Sequence, residues 1–170
     1  MTRKAPTQIL KFLTTESMYI TVHSAIGASA AQYISEPWIA FVLGFLLHFV
    51  FDMIPHGDEG IKKWKFFKSN RRRIVAAASL DLIGVMVMTV FWINHSEMSQ
   101  IPIMLAAIAG SIAPDALWGL YELTGSPLLK GYYNFHKKLH HVLTKKELTL
   151  KHGFIFQGLI LLAMTILIIS

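Results

Sequence analysis

Apolar residues run along this chain in five blocks, at roughly 17–34, 38–55, 74–93, 101–122 and 153–169. Each approaches the roughly 20 residues that an α-helix needs to cross the hydrocarbon layer of a bilayer. The pattern predicts an all-α fold: a polytopic integral membrane protein of about five transmembrane helices in a single membrane domain over residues 1–170. The first block, SMYITVHSAIGASAAQYI, is the least apolar. Its Ser24, Gly27, Ala28 and Ala31 form small-xxx-small pairs, which let helix backbones approach closely. Residues 1–16 carry Arg3, Lys4, Lys11 and Glu16 and lack the clean apolar core expected of a secretory signal.

Composition agrees with that reading. Hydrophobic residues make up 54% and charged residues 15%, against about 25% charged in ordinary soluble domains, and the mean hydropathy is +0.48. Disorder and an ordinary soluble fold are both excluded. The formal net charge of +6 is not read as a nucleic-acid interface, because the chain is too apolar for one. The positions of the charges explain it instead. All 16 Lys and Arg lie before the first block, in the 56–73 loop or in the 123–152 loop, and none lies near Glu36 or Glu97. With five spans these basic segments share one side, which the positive-inside rule makes cytoplasmic. The expectation is a multi-pass protein of the cytoplasmic (inner) membrane, N-terminus inside and C-terminus outside. Tyr33, Trp38 and Trp92 then belong at the outer interface, and Trp64, Trp118 and Tyr121 at the inner one. Residues 61–70, IKKWKFFKSN, suit an amphipathic helix lying on the membrane, and 128–150 a further cytoplasmic helix.

The chemistry lies in the ionisable residues of the spans. Cysteine is absent, which removes disulfides, iron–sulfur clusters and zinc fingers, so any metal would need His and carboxylates. His23, His48, Asp52, Asp81 and Asp115 fall inside the apolar blocks, where such groups are costly and point to function. All are placed in the cytoplasmic half. His48, Asp52 and His56 are spaced i, i+4 and i+8, one face of a helix that continues past Pro55. Asp115 follows Pro114, whose missing N–H opens the local backbone. On the cytoplasmic side, His136 and His140 of HKKLHH are one helical turn apart, a usable ligand spacing. His95 is expected to be an exposed residue of the outer loop. No Lys or Arg in the spans neutralises the carboxylates, so cations are required. Protons would serve; so would a divalent metal, with zinc expected first and manganese or iron as alternatives.

These residues also carry a family resemblance. His23 early in the first span, then HFVFDMIPHGD, then Asp81 in a later span, is similar to the arrangement in YdjM-like membrane-bound metal-dependent hydrolases. The GSIAPD stretch resembles the Pro-Asp motif of the related zinc-dependent phospholipase C group. The chain has DMIPHGD in place of a DxDHP-type run and no clear RGxTHS segment, for which HKKLHH stands as the replacement. The resemblance implies hydrolysis of a phosphoester or other lipid-linked bond. On that basis the expected metal ligands are His23, His48, Asp52, His56, Asp81, Asp115, His136 and His140. Asp52, Asp81, Asp115 and His56 are the expected catalytic groups. Arg71, Arg72, Arg73, Lys137 and Lys138 are expected to hold an anionic lipid headgroup. The expected partner is a membrane lipid or lipid-linked substrate, with self-association left open. Two other readings remain: a cation- or proton-coupled transporter built on the intramembrane Asp residues and Pro114, and a di-iron oxidase built on HKKLHH as a histidine box.

Overall fold

The computed structural model describes residues 18–54, 70–139 and 149–170. The described residues are all-helical. Helix α1 spans Ile20–Ala31, α2 Pro37–Asp52, α3 Asn70–Asn94, α4 Ile101–Thr124, α5 Lys130–Leu139 and α6 Leu150–Ile169, with a 3-10 turn at Pro127–Leu129. Each of the five apolar blocks contains one of the long helices. Proline occupies the first turn of α2 and α4, where its missing N–H costs nothing. Gly125, at φ 62°, ends α4 in the left-handed conformation that favours glycine.

Two segments, Ile101–Tyr121 and Lys151–Ile169, are long and apolar enough to cross a membrane. Helix α1 has 12 residues and α2 has 16. At 1.5 Å per residue they reach about 18 and 24 Å, short of the full crossing expected of each. Helix α2 also stops at Asp52, ahead of Pro55, because proline disfavours helical geometry in the residue before it. The helix that carries His48 and Asp52 thus ends before Pro55, and His56 lies outside the described residues.

Helix α1 is the centre of the assembly. Ten of its twelve residues are buried, and it touches α2, α3, α4 and α6. Its small, polar composition follows from that position, since its neighbours rather than its surroundings cover it. The most extensive contact joins α2 to α4. Glycine sets its closeness: a Cβ on Gly44 would collide with the Ala107 carbonyl, and one on Gly110 with the Phe41 carbonyl. A Cβ on Gly27 of α1 would come within 2.8 Å of the same Ala107 carbonyl. Three backbones thus meet around Ala107.

Beside its apolar core the bundle buries a set of polar side chains and exposes many large apolar ones. The buried set includes His23, Ser24, His48, Asp52, Ser111, His136 and Gln157. The exposed set includes Leu46 and Val50 of α2, Leu82, Met86 and Val90 of α3, and Leu159, Leu162 and Ile166 of α6. Tyr33 and Trp38 are exposed. Trp92 is not: it is fully buried in the core cluster that includes Ala28, Ala31 and Ile168, and its indole N–H donates to Thr165 Oγ1 at 3.4 Å. An indole with a buried partner for its N–H belongs to the core rather than to an aromatic belt.

Candidate metal centre

Helices α2, α4 and α5 converge on one group of four side chains. His48 and Asp52 lie one turn apart on α2, Asp115 follows Pro114 on α4, and His136 comes from α5. One donor atom from each lies within 4.8 Å of every other, and the group could hold a metal ion. His48 Nε2 is 3.2 Å from Asp52 Oδ2 and 3.7 Å from Asp115 Oδ1. His136 Nε2 is 3.1 Å from Asp52 Oδ2 and 3.3 Å from His48 Nε2. His48, Asp52 and His136 are buried, and the Asp115 side chain is 11% exposed.

The backbone fixes how His48 faces the group. Its Nδ1 is 2.8 Å from the Ser111 carbonyl, and only an N–H can pair with a carbonyl. In the neutral ring the lone pair is therefore on Nε2, aimed at Asp52 and His136. A metal-ligating histidine is typically held this way, its other nitrogen donating to a carbonyl or carboxylate. The close approach at Gly44 and Gly110 brings α2 near enough to α4 for this bond.

His23 completes the arrangement from α1. Its Nε2 lies 3.1 Å from Asp52 Oδ1, and its ring stacks on His48 with centroids 4.1 Å apart. Asp52 thus meets His23 through one oxygen and His48 and His136 through the other.

Asp81 is placed differently from the sequence expectation, outside the four-residue group. Its Oδ2 accepts the Ile20 N–H at 2.6 Å, its Oδ1 accepts the Thr21 N–H at 3.0 Å, and the Thr21 hydroxyl donates to it at 2.6 Å. Gln157 Oε1 of α6 accepts the preceding Tyr19 N–H at 2.8 Å. The first N–H groups of a helix have no partner within it, and α1 begins inside the bundle. Asp81 and Gln157 supply the missing acceptors from neighbouring helices. The carboxylate caps α1 one turn before His23.

Other predicted residues divide as follows. Lys137 and Lys138 are exposed on α5, directly after His136. Arg71, Arg72 and Arg73 fall in the opening of α3. His56, His140 and the 61–69 stretch lie outside the described residues. His95 is exposed, its Nδ1 bonded to the Phe91 carbonyl at 2.8 Å.

Two contributors were not singled out from sequence. The Ser111 carbonyl carries no side-chain signature. Tyr132 donates its hydroxyl to the Pro114 carbonyl at 2.9 Å, and its one signal is its place one turn before His136 in α5. Burial, with the charges of Asp115 and Asp52, raises the Tyr132 phenol above its ordinary range. It stays protonated at neutral pH and remains a donor.

Comparison with protein-family models, with curated proteins and with solved structures returns no match. The reading of the site rests on its own geometry.

Proposed function

We propose that the chain is a multi-pass protein of the cytoplasmic membrane, N-terminus inside, and a metal-dependent hydrolase of a phosphoester or other lipid-linked bond. The observation that carries the metal reading is the meeting of acceptors. His48 Nε2, its lone pair set by the Ser111 bond, faces the Asp52 Oδ2 carboxylate oxygen at 3.2 Å and His136 Nε2 at 3.3 Å. Such a cluster, buried away from water, needs a proton or a cation among its donors. Two imidazoles and two carboxylates suit zinc first, then manganese or iron. Support for the membrane comes from the buried polar groups, the exposed apolar faces of α2, α3 and α6, and the two long apolar segments.

His48, Asp52 and His136 would hold the metal, with Asp115 as fourth ligand or as the base that takes a proton from water. Its partial exposure places it where water can reach. His23 orients Asp52 from the opposite oxygen. A bound divalent ion would lower the pKa of water to near neutrality and polarise a phosphoryl oxygen. Lys137 and Lys138, exposed beside His136, are placed to attract an anionic headgroup, with the 71–73 arginines as further candidates. The family likeness to YdjM-like hydrolases stands as a proposal on the motifs that carry it.

The test is elemental analysis of the purified protein in detergent, with turnover assayed on phospholipid phosphoesters. Stoichiometric metal in wild type, lost in Asp52→Ala and sharply reduced in His136→Ala, is the expected result. Absence of metal in wild type would end the metal reading. Full occupancy with no metal-dependent turnover would end the hydrolase reading, and ion flux in liposomes would then favour a carrier.

A further inference from the structure

His136 differs from the other three donors in what holds it. His48, Asp52 and Asp115 stand on α2 and α4, long helices locked together by the contacts at Gly44 and Gly110. His136 stands on α5, which has ten residues. A helix that short is marginal by itself and depends on tertiary contacts. Ring contacts from α2 and α4 help to hold it. Phe49 packs against Tyr132, Phe135 and His136 with centroids 5.4 to 6.5 Å apart. Trp118 and Tyr121 of α4 pack against Tyr133. Ring contacts tolerate sliding, because dispersion attraction is weakly directional. A ligand displaced by about 1 Å no longer serves its metal, since bond lengths there are fixed to about 0.2 Å.

A directional contact outside the donor group also joins α5 to α4. The Tyr132 hydroxyl donates to the Pro114 carbonyl at 2.9 Å. Tyr132 precedes His136 by four residues, so both lie on the same face of α5, with ring centroids 5.8 Å apart. The accepting carbonyl immediately precedes Asp115, a member of the same donor group. One turn of α4 therefore presents a donor and also anchors the helix that carries another.

We propose that Tyr132 is a positioning residue of the metal centre: its hydrogen bond to the Pro114 carbonyl sets the register of α5 and so holds His136 Nε2 at Asp52. The inference rests on the metal reading for its consequence, though not for the bond itself. Removing the hydroxyl leaves every ring contact in place and takes away the directional restraint. Metal affinity falls while the fold persists. Loss of an outer partner of this kind typically costs 10- to 100-fold in affinity.

The experiment uses the full chain in detergent as wild type, Tyr132→Phe and His136→Ala. Cobalt(II) affinity and the visible spectrum of the cobalt form are measured, together with thermal unfolding and amide exchange over residues 130–139 of the metal-free protein. Tyr132→Phe is expected to unfold near the wild-type temperature, exchange faster in α5 and bind cobalt about 10- to 100-fold more weakly. Its spectrum should shift toward that of His136→Ala. Wild-type affinity, spectrum and exchange in Tyr132→Phe would overturn the proposal. Wild type that takes up no cobalt would sink the metal reading, and the exchange data would still decide whether Tyr132 holds α5. A variant that unfolds outright would overturn the positioning role in favour of a structural one.

Discussion

Asp52 and Asp81 show how two carboxylates in apolar helices come to different ends. Asp52 is fully buried and Asp81 half-buried, and both meet the cost of lost water with several partners. Asp52 faces three imidazoles, at 3.1 to 3.2 Å. Asp81 faces two backbone N–H groups and a hydroxyl. Neutral rings offer lone pairs that a metal can share, whereas N–H groups offer protons already committed to the carboxylate. The first site has ligand chemistry to give and the second has already used its acceptors. Asp81→Asn should therefore leave metal stoichiometry unchanged while destabilising the fold by about 1–3 kcal/mol, the usual cost of spoiling a buried charge-assisted hydrogen bond. Unfolding in detergent set beside elemental analysis reads both quantities. Metal loss in Asp81→Asn without destabilisation would place Asp81 back among the ligands. Sequence reasoning brought both aspartates to a similar depth but could not tell which neighbour each would meet, because facing is decided by how helices pack.

At the scale of elements, the crossing of α2 with α4 decides whether the donors meet at all. A methyl group on Gly110 has no room beside the Phe41 carbonyl, and the obstacle is backbone, which cannot swing aside. Gly110→Ala should push α2 from α4, weaken the His48–Ser111 bond, and lower both thermal stability and metal occupancy. Gly119→Ala is the internal control. It sits in the same helix with nothing within 4 Å of its added Cβ, so it should be neutral or stabilising by up to about 1 kcal/mol, the helix-propensity difference. A melting comparison of the two variants decides the point, and equal effects would refute the close-approach account. The small residues of α1 were legible beforehand as a packing surface, and the helix proves to be buried on nearly all sides. His136 was singled out as a candidate ligand from its spacing in HKKLHH, and it falls in the group that could hold a metal. Its partners were not, because they come from α2 and α4, and no spacing along the chain records a contact across 84 residues. Trp92 misled for a related reason. Its position at the end of an apolar block fits an interface residue, yet its side chain is fully buried in the core and bonded to Thr165.

For the molecule as a whole, the proposed orientation has consequences that the absence of cysteine makes easy to read. A single introduced thiol has no background. Ser35, between α1 and α2, and Ser99, between α3 and α4, are exposed in segments without Lys or Arg. Asn134 is exposed on α5, two residues before His136 and close in sequence to Lys137 and Lys138. If the basic segments share the cytoplasmic side, Ser35→Cys and Ser99→Cys should react with a membrane-impermeant maleimide in intact spheroplasts, and Asn134→Cys only after permeabilisation. The short helices α1 and α2 do not oppose this. Helix α1 starts inside the bundle with its N–H groups capped by Asp81 and Gln157, so it need not reach the far side in water-free lipid by its own length. What the membrane requires is that backbone polar groups be satisfied, and the bundle supplies those partners. Labelling of Asn134→Cys from outside would invert the orientation. Equal labelling of Ser35→Cys and Ser99→Cys only after permeabilisation would do the same. Labelling of only one of those two from outside would break the five-span arrangement and, with it, the shared cytoplasmic side on which the headgroup lysines depend.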